Sequence, residues 1–166
     1  MIRRTSKQYD IVLDDLAANA RLSRAAFSHE VEALTLGRMG HQSLAKDNRT
    51  ESTNAWFKRN AYRMLKRYVD TNQTRVFDQA IRSSNRHPIG LDAIRANPFK
   101  LGLFAMFDDT SLSRSDRHVF GNQMLYAHQH EVPAEHLIAF IRAAGAPSRI
   151  AAKLLNGSRE PSINFG

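Results

Sequence analysis

Apolar residues recur along this chain at three- and four-residue spacings nearly throughout, a rhythm that predicts amphipathic helices rather than strands. A first helix is expected from about Lys7 to Ala20, with Ile11, Leu13, Leu16 and Ala17 on its apolar face. A second starts after Ser23, a good N-cap, and runs to about Leu36, with Phe27, Val31 and Leu34 in one stripe and Gly37 placed to end it. Residues 37–50 lose the periodicity and read as a linker. A long helix follows from about Ser52 to Val69, where Trp56, Phe57, Ala61, Met64, Leu65 and Tyr68 form a wide core stripe. Shorter helices are expected over 72–83, 89–96 and 98–107, because Pro88 and Pro98 interrupt the pattern and favour helix starts.

After a turn from Asp109 to Ser113, helices are expected from about Ser115 to His130, Ala134 to Ala144 and Ser148 to Leu155, the last closed by Asn156-Gly157. The fold class is therefore all-α, a compact multi-helix bundle. It divides into an N-terminal helix pair (1–36), the linker (37–50), a central region (51–107), a C-terminal helical region (108–157) and a tail (158–166). No internal repeat is visible. At 166 residues the chain is the size of one domain and long enough to build its own core.

Charge changes the picture in one respect. The net charge is +8, from 24 basic and 16 acidic side chains. The excess falls in residues 51–107, which hold 10 Lys or Arg against 4 Asp or Glu, whereas residues 108–166 balance at 6 and 6. Arg outnumbers Lys 18 to 6, which favours bidentate contact with phosphate or carboxylate. An anionic partner is expected, and the sign of the charge argues against a DNA mimic, which must be acidic. Arg59, Arg63, Lys66 and Arg67 fall on one helical stripe and are the candidate phosphate contacts, with Arg75, Arg82, Arg86, Arg95 and Lys100 beyond them. The plain alternative is a solvated surface face.

Catalytic and metal chemistry find little purchase. There is no Cys, so no disulfide, thiolate site or cysteine nucleophile. His128 and His130 stand about 200° apart on a helix and cannot chelate together, and no H-E-x-x-H spacing occurs. No G-x-S-x-G, phosphate-binding loop or dinucleotide fingerprint is present, so neither an enzyme, a cofactor nor a metal is expected. The apolar run from Leu101 to Phe107 is the longest and far short of the roughly 20 residues that cross a bilayer. The N-terminus has no apolar run behind its basic residues, so a cytoplasmic protein without membrane contact is expected.

Two segments carry a more specific signal. In Leu13-Asp14-Asp15-Leu16-Ala17-Ala18-Asn19-Ala20-Arg21-Leu22-Ser23-Arg24-Ala25-Ala26-Phe27-Ser28, a small residue, a tight turn and a capping Ser precede apolar residues that point back into the pair. This stretch resembles the first helix-turn-helix of AraC-type regulators, and the resemblance implies that Arg24, Ala25, Ser28 and His29 face a major groove, with Ser23 on a phosphate. In the second, Val132 to Gly157, Gly145 can take the turn, Ser148 can cap, and Ile150 with Leu154 can seat the last helix. With its Gly157-Ser158-Arg159-Glu160-Pro161-Ser162 tail it looks like repressors of the lambda/Cro-like class, which implies that Ser148, Arg149, Lys153 and Asn156 read bases or hold phosphates. Each segment also reads as an ordinary capped helix pair.

The sequence thus points to a DNA-binding transcription regulator of bacterial or phage type. Its partner would be double-stranded DNA, bound by a homodimer as such regulators usually are. The alternative is a small helical phage or mobile-element adaptor or inhibitor that docks on a protein or nucleoprotein complex through its basic middle.

Overall fold

A computed structural model describes residues 23–84, 86–107, 111–161 and 165, and all of the secondary structure there is helical. The helix expected over 7–20 and the turn residues 108–110 lie outside the described residues. Helix α1 spans Arg24–Gln42, α2 Thr53–Asp70, α3 Arg75–Ser83, α4 Leu91–Arg95, α5 Pro98–Met106, α6 Arg114–Gln129, α7 Leu137–Ala144 and α8 Pro147–Asn156. Single 3-10 turns occupy Lys46–Asn48 and Ala134–His136.

Side-chain caps explain the starts of α1, α2, α5 and α6. Ser23, Ser52 and Ser113 each accept the N–H of the residue three further on, at 3.2, 3.2 and 3.0 Å. Asn97 accepts from Phe99 and Lys100 N–H at 3.1 and 3.2 Å, and Pro98 fills the first helical position, where its missing N–H costs nothing.

Several boundaries differ from the sequence expectation. Helix α1 continues through Gly37 to Gln42, so the linker shrinks to a short connection. Gly37 serves packing instead of termination: a Cβ there would meet the Trp56 ring at 2.6 Å, so the missing side chain lets α1 and α2 close on one another. Asn72 takes a left-handed φ of 55°, and the turn it makes delays α3 to Arg75. Residues 134–144 split into a 3-10 turn and α7. Ser148 is not the cap of α8; Ala146 occupies that position, Pro147 is the first helical residue, and Ser148 sits within the first turn.

One apolar cluster runs through the described residues and α2 is its axis. Trp56, Phe57, Ala61, Tyr62, Leu65 and Tyr68 are each 0% exposed. Helices α1, α5, α6 and α7 all pack on α2, which joins the N-terminal and C-terminal regions in a single core. Phe27 meets both Tyr68 and Phe77, with ring centroids 5.6 and 5.3 Å away, and so ties α1 to α2 and α3. The Tyr62 hydroxyl donates to Val132 O at 2.9 Å and fixes the turn that precedes α7. Because burial disfavours the phenolate, Tyr62 and Tyr68 are pushed well above the ordinary tyrosine range.

Candidate nucleic-acid interface

The C-terminal candidate is built on α6. Both α7 and α8 pack against it, and the link between them is only Gly145-Ala146. Gly145 has φ 111° and ψ −165°, a conformation that side chains with a Cβ rarely adopt, and a Cβ there would lie 2.9 Å from the Arg149 Cδ that folds over it. Helix α8 then inserts a single fully buried anchor, Ile150, with Leu154 partly buried beside it. Its opposite face is Ser148, Arg149, Ala152, Leu155 and Asn156, all exposed, with Leu155 88% accessible. These positions follow the helical spacing of one stripe, so α8 presents a continuous, mostly uncharged polar and apolar face with one arginine at its N-terminal end.

Lys153, expected to hold a phosphate, has other partners. Its ammonium donates to Ala144 O at 3.0 Å, at the end of α7, and pairs with the Glu160 carboxylate. That carboxylate also accepts the Tyr126 hydroxyl at 2.9 Å, and the Glu160 N–H donates to His130 Nε2 at 2.9 Å. His130 Nδ1 in turn meets Tyr126 O at 2.8 Å. The hydrogen bond from Lys153 holds the Glu160 carboxyl below the usual range, while burial beside Glu160 pushes the Tyr126 phenol up to about 12. Sequence reasoning did not find this cluster. Its one signal was Gly157, whose left-handed φ of 65° lets Ser158 N–H bond Lys153 O at 3.0 Å and turns the chain back towards α6.

The N-terminal candidates lie on the first two turns of α1. Arg24, Ser28 and His29 are exposed there. Arg24 and Ser28 border an open groove of about 320 Å³ between α1, α3 and the end of α5, floored by Phe27, Val31, Ala80 and Met106. The helix that would precede α1 in a helix-turn-helix lies outside the described residues.

The basic middle differs most from expectation. Arg59 and Arg67 are not on an open stripe: their side chains are 12% and 25% exposed, and they pair with Glu51 and Glu30. Arg63 reaches Asn60 Oδ1 at 3.4 Å, and Lys66 pairs with Asp70 at 2.5 Å. Asp70 also takes His128 Nε2 at 2.7 Å; burial alone would raise its carboxyl, yet the hydrogen bonds from Lys66 and His128 hold it below the usual range. Further along, Arg95 pairs with Asp78 and Asp92 at 2.9 and 3.0 Å, and Arg86 donates to Ala105 O and Phe107 O at 2.9 and 2.5 Å. Burial lowers the Lys100 ammonium below the usual lysine range. Arg75 and Arg82 remain on the surface. His128 and His130 turn to different partners, so the two do not converge.

Among the described residues no helix is long and apolar enough to cross a membrane. The chain matches no protein-family model, and no curated protein or solved structure shows significant similarity to it.

Proposed function

We propose that this all-α protein is a DNA-binding transcriptional regulator that reads duplex DNA with α8. The observation that carries this reading is the exposed α8 face, Ser148, Arg149, Ala152 and Asn156, set by a two-residue turn on the rigid support of α6. A helix held by one buried anchor and a packed neighbour, with its outer face free, has the form needed to enter a major groove. Arg149 offers a fork of donors suited to a guanine edge, Asn156 an amide suited to adenine, and Ser148 a hydroxyl for a backbone phosphate near the helix start. Occupancy of an operator then blocks or recruits polymerase. No cofactor enters this mechanism.

The adaptor reading relies on the basic middle, where Glu51, Glu30 and Asp70 already neutralise Arg59, Arg67 and Lys66. For that reason we favour α8. The test is selection of the purified protein on randomised duplex DNA through a salt series from about 50 to 200 mM, with single-stranded DNA and RNA as controls. A sequence enriched at the higher salt supports the reading. Arg149→Ala should then weaken that site by about 1–3 kcal/mol and relax one base position. Absence of duplex binding at low salt ends it.

A further inference from the structure

Four residues beyond the end of α8 the chain is back against α6, where it brings the Glu160 carboxylate to the Lys153 ammonium. We propose that the segment 158–161 is an autoinhibitory strap in which Glu160 occupies Lys153 in place of a DNA phosphate. This inference rests on the reading of α8 as the DNA-binding helix.

The chemistry of the exchange is direct. A carboxylate and a phosphodiester both present anionic oxygens to an ammonium, and a lysine serves either as a point charge. The Lys153 side chain is 24% exposed, at the margin of the open α8 face, which is where a backbone phosphate would meet it. Glu160 is aimed by its surroundings. The Gly157 turn sets the direction of the chain, Tyr126 donates to the carboxylate, and His130 Nε2 accepts the Glu160 N–H. Arg159 adds a donation to Gln129 O at 3.5 Å. Beyond Pro161, Phe165 stacks on His136 with centroids 5.4 Å apart.

The strap is nevertheless built to exchange. Residues 157–159 and 161 are exposed, and among the described residues the segment makes no helical hydrogen bond of its own after Ser158 and reaches α8, beyond the Gly157 turn, through the Lys153–Glu160 pair. Displacing Glu160 removes a negative charge from beside α8 and frees a positive one. Both changes favour a polyanion, so DNA and the strap compete for the same ammonium.

Glu160→Gln tests this with the full chain, because it keeps the length and an acceptor for Tyr126 while removing the charge. Duplex affinity is measured across the salt series for wild type, E160Q, K153A and the double variant. The expected result is about five-fold tighter binding by E160Q at low salt. Its log–log salt slope should be steeper by about 0.9, the signature of one more phosphate contact, and both gains should vanish in the K153A background. Stronger duplex binding by E160Q where wild type binds only weakly supports the strap equally. Unchanged affinity and slope in E160Q, with wild-type binding intact, overturns the strap and leaves the DNA reading standing. Failure of every variant to bind duplex overturns both.

Discussion

Replacing Arg67 with Met should cost more than removal of an ordinary surface arginine, because it strands a buried carboxylate. Glu30 on α1 is 5% exposed and faces Arg67 across the helix crossing, with Nη1 and Nη2 at 3.2 and 3.4 Å from its two oxygens. The Tyr68 hydroxyl adds a third donor at 3.3 Å. Burial pushes the Glu30 carboxyl up, and the guanidinium opposes that rise. Methionine keeps most of the apolar stem and removes the charge, so packing changes little. Breaking a fully buried pair costs about 3–5 kcal/mol; the Arg67 side chain is 25% exposed, so water partly replaces it and about 2–3 kcal/mol is expected near pH 7.

The pH dependence has a definite sign. An acid whose folded pKa lies above its unfolded value binds more protons when folded, so stability falls as pH rises through that window. In R67M the opposing guanidinium is gone and the Glu30 window widens upward. The deficit should therefore shrink when urea unfolding is repeated near pH 5, and Glu30→Gln in the same background should recover most of it. A deficit below about 1 kcal/mol at neutral pH, or one unchanged on acidification, refutes the argument.

Two further substitutions test the packing. Gly37→Ala sets a methyl 2.6 Å from the Trp56 ring, so overpacking of about 1–3 kcal/mol should exceed the gain of up to about 1 kcal/mol in helix propensity. Because Trp56 is the sole tryptophan, its fluorescence should report the displaced ring, and a stabilised variant would be the contrary result. Ile150→Ala removes the one fully buried side chain of α8 and should cost about 2–4 kcal/mol. Hydrogen exchange should accelerate in α8 before α2, and uniform acceleration across both would show that α8 does not open separately.

How much of this was legible beforehand differs by level. Apolar periodicity located α2 and its core stripe, and the start of α1 was readable because the Ser23 cap acts through residues three apart in the chain. Gly37 was misread because the local sequence shows a missing side chain but not the Trp56 ring that fills the space. The basic stripe was misread for a related reason. Helical spacing says which residues share a face, whereas Glu30, which neutralises Arg67, stands 37 residues away on another helix.

The sequence by itself determined the all-α class and the place of most helices along the chain, since both follow from interactions within a few residues. Tertiary structure alone decided which cations remain available to a partner. Folding brought Glu51 to Arg59, Glu30 to Arg67 and Glu160 to Lys153, while Arg149 stayed exposed on α8. An ion pair depends on distance in space, and only the packing of the helices sets that distance.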